Sequence, residues 1–424
     1  MEHLESINQE KDLPYWIGFN FFEGIGPLRF KLLLEYFGSA QKAWLASKKD
    51  LLTIGLGEKI VDKFWQFKDF FNPQSLKMAG HFLISLPDFL SRIDDFLADE
   101  ERKKQFWWVT KTGRYKKIPD QPILVLTWMD KIYPESLKNI PASPPVIYLA
   151  AGFLKSDKKT LEAQIKRLFD KPAIAVVGTR KISSYGRLVT EKLVAQLVEA
   201  NLVIVSGIAR GVDGVAHRTA LANNGQTIAV LGSGVDVVYP AENRDIYEKI
   251  SWSKKNLLGL VLSEFPPGFP PLPGNFPARN RLIAGLAKAV LVTEAAQDSG
   301  SLITARLALE QGKDIFAVPG PITSPLSSGT SFLIKQGAKL VTEITDILEE
   351  LGVKNFKTQM VDFKLEDLSE EERKIWELFN QGEKYIDDII RETGLETAKV
   401  GSILSLMTLK GLIKDLGGGK WGRN

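Results

Sequence analysis

The chain has 424 residues, which is too many for a single ordinary hydrophobic core, so we expect two or three domains. Its composition, 44% hydrophobic and 25% charged, is typical of a globular protein that folds in water. The formal net charge of +4, from 55 basic and 51 acidic residues, favours a nucleic-acid partner only weakly.

Residue types that the sequence lacks narrow the function classes. The chain has no cysteine, which excludes disulfides and thiolate metal sites, and its three histidines are too few to predict a metal centre. No window approaches the roughly 18 uncharged apolar residues of a membrane-spanning helix. Because the first residues are polar and acidic, we expect no secretory signal and a cytoplasmic protein.

Residues 1–121 are predicted to form an N-terminal helical domain. Its apolar residues recur at helical spacing, as in Leu28, Leu32 and Leu33. The last part, residues 72–121, is an additional segment with an amphipathic stretch at residues 82–97. We interpret it as a helical hairpin packed on this domain. The alternative is a basic surface on which Phe106, Trp107 and Trp108 stack against nucleic acid.

Residues 122–352 are predicted to form a Rossmann-like α/β domain. Short apolar runs alternate here with helical stretches and glycine-rich turns, which indicates βαβ units and a mostly parallel sheet. Runs that are apolar at nearly every position are typical of strands buried on both faces. The six runs are residues 173–177, 203–205, 227–231, 258–262, 289–293 and 315–318.

The tail is predicted to be a winged-helix domain over residues 369–424, after a charged linker at residues 353–368. Three helical stretches at residues 371–379, 385–392 and 396–410 precede a turn of three glycines. The third helix offers only Lys399 and Lys410 as basic residues. We therefore favour a role in contacting protein over the alternative of reading duplex DNA.

The first predicted strand of the central domain leads into Gly178, Thr179, Arg180 and Lys181, just before a helix. A strand that runs through a glycine turn into a helix N-terminus presents free backbone N–H groups and a positive dipole end to phosphate. Arg180 adds a forked donor that suits phosphate oxygens. A tight turn with a surface arginine is the equally good structural interpretation.

Two further strands end in similar loops. The loop after the second strand contains Ser206, Gly207, Arg210 and Gly211. Its glycines allow a ligand to approach the backbone closely, and Ser206 and Arg210 can donate hydrogen bonds to an anion. Asp213 caps the next helix or takes a chemical role, and we interpret His217 as a core histidine. The third strand ends in Gly232-Ser233-Gly234. In open parallel sheets, ligands bind in the crevice outside such strand ends.

A helix start with Phe276, Arg279, Asn280 and Arg281 carries the strongest binding signal. The two arginines lie two residues apart, so they diverge: one is expected to reach the crevice and the other an internal carboxylate. Phe276 stacks on an unpaired base or serves as a hydrophobic staple. Another helix N-terminus for an anion follows at residues 299–301, which are Ser299, Gly300 and Ser301.

Six motifs in this order resemble the DNA-processing protein A (DprA/Smf) family over roughly residues 172–340. They read VVGTRKISSYG, SGIARGVDGVAH, TIAVLGSGVDVVYPAEN, FPARNRLIAGL, TEAAQDSGSLITA and FAVPGPI. The N-terminal Gly24-Ile25-Gly26-Pro27 and the tail are also similar to the family. The resemblance implies protection of incoming single-stranded DNA in natural transformation, loading of the RecA recombinase, and a homodimer through the Rossmann domains.

From these residues we predict binding rather than catalysis, with no cofactor and no enzymatic activity. Arginines and Lys181 neutralise the phosphates of an unpaired strand, backbone and hydroxyl groups donate hydrogen bonds, and Phe276 stacks a base. The alternative is a nucleotide or phosphoribosyl hydrolase, with Glu294 or Asp213 as the catalytic group. Related hydrolases carry a glutamate where Thr304 stands, and a hydroxyl cannot act as the base in its place.

Overall fold

The computed structural model describes residues 9–79, 82–85, 123–150, 158–251, 258–353, 368–409 and 412–423. The chain divides into two compact units, residues 1–354 and residues 355–424.

Five helices open the first unit, and local signals set their ends. Pro27 begins the second helix, Ser39 caps the third, and Ser47 forms a capping box with Asp50 at the fourth. The helices are α1 (Gln9–Phe21), α2 (Pro27–Phe37), α3 (Ala40–Leu45), α4 (Lys48–Thr53) and α5 (Glu58–Phe70). Aromatic rings fill the space between them, with Phe19 against both Trp44 and Phe64.

An 11-stranded sheet forms the centre of this unit, in the order β1-β2-β3-β4-β8-β7-β6-β5-β9-β10-β11. Its first strands are β1 (Lys77–Ala79), β2 (Phe82–Ser85), β3 (Ile123–Thr127), β4 (Val146–Ala150), β5 (Ala173–Val177) and β6 (Val203–Ser206). The remainder are β7 (Thr227–Val230), β8 (Gly259–Ser263), β9 (Ala289–Val292), β10 (Asp314–Ala317) and β11 (Lys339–Leu340). Strands β5 to β11 pair in parallel, and β1 to β4 add an antiparallel edge to β8.

Helices connect and cover the strands. They are α6 (Glu135–Lys138), α7 (Lys158–Asp170), α8 (Ser184–Glu199), α9 (Val212–Ala222), α10 (Arg244–Ser251), α11 (Asn275–Leu286), α12 (Gly300–Glu310), α13 (Ser328–Lys335) and α14 (Thr345–Leu348). The two faces of the sheet pack into different cores. Along β4, Tyr148 joins the core of the N-terminal helices, while Ile147 and Leu149 face the other core.

The strand order reverses between β5 and β9. The chain runs from β5 through β6 and β7 to β8 on one side, and from β9 to β10 and β11 on the other. Loops that leave two such strands diverge and open a crevice, which is where α/β sheets bind ligands. The fold therefore places residues 178–183 and 293–299 at the expected ligand position.

The predicted Rossmann-like core is confirmed, and each of the six apolar runs forms a strand within one residue of its predicted bounds. The helical interpretation of residues 82–97 was wrong in its first part, because Phe82–Ser85 is strand β2. Its run of phenylalanine, leucine and isoleucine pairs with β3, and those ladder hydrogen bonds outweigh the helical spacing. Residues 86–122, with Phe106, Trp107 and Trp108, lie outside the described residues.

The second unit is the predicted winged helix. Its elements are α15 (Glu370–Leu378), β12 (Lys384–Tyr385), α16 (Ile386–Thr393), α17 (Thr397–Leu409), β13 (Ile413–Gly417) and β14 (Lys420–Arg423). Ile375, Ile389 and Leu404 bring the three helices together in one core. Residues 417–419, all glycines with positive φ, form the turn of the wing between β13 and β14.

Candidate nucleic-acid interface

The buried carboxylate of Glu294 organises the crevice at the switch point. It is 3% exposed and accepts hydrogen bonds from the backbone N–H and the hydroxyl of Ser183, while the Glu294 carbonyl accepts from the Thr179 N–H at 2.7 Å. Ser183 in turn caps α8 by accepting from the Gly186 N–H. The loop with Thr179 and Arg180 is therefore held to the end of β9 at both of its ends.

The next loop, between β6 and α9, is held in the same way. Asp213 is buried, and its carboxylate accepts from the N–H groups of Gly207 and Ala209 at 3.2 and 3.3 Å. Gly211 has φ 75° and ψ −130°, and a β-carbon there would collide with the Thr179 carbonyl oxygen. Asp213 thus organises the loop that leads into α9. The prediction that it caps this helix was wrong, because Gly211 is the N-cap and the carboxylate accepts from the loop instead.

Arg279 lies beneath the crevice instead of lining it. It is 4% exposed because it falls on the face of α11 that packs against the sheet. Its Nη1 donates to the carbonyl oxygens of Gly207 and Val230, and its Nε donates to Asn280. Burial lowers the pKa of Arg279 to about 10, and the nearby Asp213 opposes this. The prediction that Arg279 contacts a phosphate was wrong, because its guanidinium already donates to acceptors of the protein itself.

Arg281 reaches an internal carboxylate, as predicted for one of the two arginines. It pairs with Glu264, and both side chains are nearly buried at 15% and 13% exposed. Burial raises the pKa of Glu264, while Arg281 acts in the opposite direction. Arg281 is consequently not available to an incoming phosphate, and the prediction of a site residue there is corrected as well.

The hydroxyl groups named as donors are also engaged. Ser206 is fully buried and donates to the Val176 carbonyl oxygen. Ser299 caps α12, and its hydroxyl lies 2.8 Å from that of Ser301. Asn280 reaches the Gly300 carbonyl oxygen at 3.4 Å, so α11 joins the start of α12 at this point. These contacts build the wall of the crevice.

Arg180 and Tyr239 are exposed over this wall and flank the half-buried Phe276, and we call these three residues the arginine–aromatic platform. The guanidinium carbon of Arg180 lies 5.4 Å from the centre of the Phe276 ring, within cation–π distance. The rings of Phe276 and Tyr239 lie 5.6 Å apart. A β-carbon at Gly232 would meet the Phe276 ring at 3.0 Å, so the missing side chain leaves room for that ring at the end of β7.

Tyr239 was missed as a site residue, although it follows the third predicted loop. Its side chain is 42% exposed, and only the fold brings it beside Phe276, which lies 37 positions later in the chain. Two other predicted residues border the platform. Lys181 is exposed next to Arg180, and Arg210 is exposed and pairs with Glu242.

The geometry of the site does not favour the alternative of a nucleotide or phosphoribosyl hydrolase. The carboxylates of Glu294 and Asp213 both accept backbone N–H groups and lie buried, and Thr304 is 1% exposed. Within the described ranges of the chain, no group of three carboxylate or histidine side chains is arranged to hold a metal ion.

Membrane insertion has no candidate segment among the residues with a described structure. None of their helices has the length and apolar character that crossing a bilayer requires.

Fold and site together define a class: a Rossmann-like α/β protein with a winged helix and an arginine–aromatic surface at the strand ends. Residues 124–352 match the family model of DNA recombination-mediator protein A, and residues 362–419 match that of the DprA winged helix domain. The chain belongs to the DNA recombination-mediator protein A family, as the resemblance indicated.

Individual relatives agree with this assignment. The chain is similar to Protein Smf of Synechocystis, with 35% identity over 340 residues, which are 80% of this chain and 72% of that relative. The DNA processing protein DprA of Streptococcus pneumoniae is 44% identical over 236 residues, 56% of this chain and 75% of its own. The X-ray structure of a DprA from Streptococcus pneumoniae matches with a TM-score of 0.57 and 32% identity, covering 80% of this chain and 97% of that one.

Proposed function

We propose that this chain binds single-stranded DNA on the arginine–aromatic platform and thereby acts in DNA processing during natural transformation. The observation that carries the proposal is the half-buried Phe276 ring between the exposed side chains of Arg180 and Tyr239, at the edge of the sheet where such folds bind ligands. The names of its relatives as DNA processing proteins support the same role.

The platform favours an unpaired strand for a physical reason. A base that stacks on Phe276 must expose its face, and bases in a duplex are already stacked on each other. Arg180 can contact the adjoining phosphate, because its guanidinium lies beside the same ring. Stacking and phosphate contacts hardly distinguish one base from another, so we expect only a slight preference for particular DNA sequences.

We further propose that the chain acts as a homodimer through its Rossmann-like domain, because one platform offers few phosphate contacts and two linked platforms bind more tightly. Large apolar side chains are exposed at one end of the sheet, with Phe332 on α13 at 44% and Leu340 on β11 at 43%. Sedimentation of the Phe332→Glu variant should shift a dimer toward monomer, and an unchanged dimer would place the contact elsewhere.

RecA loading in the cytoplasm completes the proposal and rests on the family resemblance. It predicts that the native chain shortens the lag of RecA filament assembly on single-stranded DNA. The Phe276→Ala variant should fail to do so. If both accelerate assembly equally, loading does not depend on the platform.

The direct test compares a labelled oligothymidine with a duplex of the same length by fluorescence anisotropy, at low and moderate salt. We expect the single strand to bind more tightly and its affinity to fall with salt, because phosphate contacts release counterions. Equal affinity for both ligands would refute the preference for unpaired DNA. If neither ligand bound, a small phosphate-bearing molecule would become the better candidate for the crevice.

A further inference from the structure

A second groove in the described structure lies beside the N-terminal helices, outside the arginine–aromatic platform. It has a volume of about 690 Å³ and lies between α2 and the segments on either side of α6. Leu28, Trp128 and Ile140 give it apolar walls. Lys31, Lys131 and Lys138 also line it, and we call this surface the lysine groove.

The charge of the lysine groove is one-sided. None of the described residues that line it is an aspartate or glutamate. Lys31 has Glu35 at 3.9 Å and Lys138 has Glu135 at 3.4 Å, and the carboxylate sides of both pairs are well exposed. Exposed pairs of this kind contribute roughly 0.2–1 kcal/mol, so a phosphate can displace Glu35 or Glu135 from its lysine. The groove therefore suits an anionic ligand.

The topology places the lysine groove along the same sheet edge as the platform. Strand β3 is antiparallel to β4, and β4 is antiparallel to β8, so β3 runs in the direction of the parallel strands. Trp128 and Lys131 come after the end of β3, and Gly232 comes after the end of β7. In the sheet, β3 and β7 are three strand positions apart. At about 4.8 Å per strand this is about 14 Å, or roughly four nucleotides at the 3.4 Å spacing of a stacked strand.

A smaller cleft of about 390 Å³ has lining residues in common with the lysine groove and near the platform. Pro27 lines both the cleft and the lysine groove, and Asn275, the chain neighbour of Phe276, also lines the cleft. Glu23 and Glu264 also line this cleft, and Glu264 is paired with Arg281. Phosphates would be repelled by Glu23, so the strand would cross here with its sugars and bases against the protein.

We infer that the lysine groove is a second binding site for the same single strand, continuing its path from the arginine–aromatic platform. This rests on the proposed function, since the platform supplies the first contact. The three lysines bind phosphates, and the apolar wall with Trp128 contacts bases that leave the platform. An acidic segment of another protein is the competing occupant.

The experiment uses the full chain and an oligothymidine of about sixteen nucleotides, with affinity measured across salt concentrations. The groove variant combines Lys31→Ala, Lys131→Ala and Lys138→Ala. Its control combines Lys166→Ala, Lys192→Ala and Lys288→Ala, three exposed lysines elsewhere on the unit. The salt slope is the change in log affinity per unit change in log salt concentration, and losing three phosphate contacts should reduce its magnitude by about 2. Between about 50 and 200 mM salt, the affinity of the native chain should therefore fall about twentyfold more than that of the groove variant. Equal slopes in both triple variants would overturn the inference.

Photocrosslinking with 5-iododeoxyuridine in the same oligomer separates this inference from the proposed function. We expect crosslinks to peptides with Trp128 as well as to those with Phe276 or Tyr239. Crosslinks at Phe276 without any at Trp128 would leave the proposed function intact and remove the second site. Crosslinks at neither place would overturn both. A polyglutamate peptide that binds the lysine groove when DNA does not would assign it to an acidic protein partner.

Discussion

The guanidinium of Arg279 lies directly against the backbone of Gly207. Its Nη1 donates to the Gly207 carbonyl oxygen at 2.7 Å, and a β-carbon at residue 207 would lie 2.5 Å from that nitrogen. A glycine that looked like a ligand contact in the sequence therefore makes room for an arginine of the protein itself. The crevice is built on this buried pairing, and the proposed DNA contacts are assigned to the arginine–aromatic platform instead.

Removing this arginine should cost stability. In Arg279→Ala the buried carbonyls of Gly207 and Val230 lose their donor, and Asp213 loses a nearby positive charge. Leaving a buried acceptor without its donor costs about 1–3 kcal/mol of unfolding free energy, and more when the lost donor is charged. Urea denaturation measures this, with Arg306→Ala on the exposed face of α12 as a control that changes little. If Arg279→Ala bound DNA more weakly while its unfolding free energy stayed unchanged, Arg279 would instead contact the ligand.

Two glycines with similar φ should respond differently to alanine. Gly38 ends α2 with φ 78° and nothing within 4 Å of an added β-carbon, so Gly38→Ala should cost about 1 kcal/mol of backbone strain. Gly211 also faces the Thr179 carbonyl oxygen, so Gly211→Ala should cost several times more. Thermal denaturation of both variants tests this, and equal losses would show that the β6–α9 loop can relax.

The buried His217 should make the protein sensitive to acid. Its Nδ1 lies 2.7 Å from the Thr227 hydroxyl, which itself donates to Ile204, so Nδ1 carries the proton of a neutral ring. Burial, with smaller effects of Arg279 and Arg218, lowers the pKa of His217 to about 3. Between that value and the ordinary 6.5, only the unfolded chain takes up the proton, so stability falls as the pH falls.

The size of this effect follows from the same difference in pKa. From pH 7 to pH 5 the histidine should remove about 2 kcal/mol of unfolding free energy. His217→Asn replaces the ring N–H donor by an amide N–H donor that does not titrate. This variant should lose the part of the pH dependence that His217 causes. Unfolding curves at both pH values measure it. The same decline in the variant would mean that other groups cause the acid sensitivity.

Glu294 should act through the loop that it holds. In Glu294→Gln one of the two acceptors for Ser183 becomes a donor, so either the backbone N–H or the hydroxyl of Ser183 loses its partner. We expect a loss of about 1–3 kcal/mol and faster amide hydrogen exchange at residues 179–183. If exchange there stays slow, the hydrogen bonds to Glu294 do not hold the loop.

The sequence predicted the strands well because β5, β7 and β9 are apolar at nearly every position, a pattern that few alternatives share. It could not place the arginines. Arg180, in a loop, and Arg279, inside a helix, carry equal phosphate-binding chemistry, and only the packing of α11 on the sheet makes one exposed and the other buried. Tyr239 was missed for a related reason, because its contact with Phe276 depends on how two distant loops meet.

The most direct test of the account replaces Phe276 and Arg180 separately with alanine and measures oligothymidine affinity, with Arg306→Ala as the matched loss of an exposed arginine. Loss of one stacked base costs about 1–3 kcal/mol, so Phe276→Ala should bind roughly fivefold to 150-fold more weakly. Arg180→Ala should bind more weakly and show a shallower salt dependence. Arg306→Ala should bind like the native chain. If folded Phe276→Ala and Arg180→Ala both retained native affinity, the single strand would not bind on the arginine–aromatic platform.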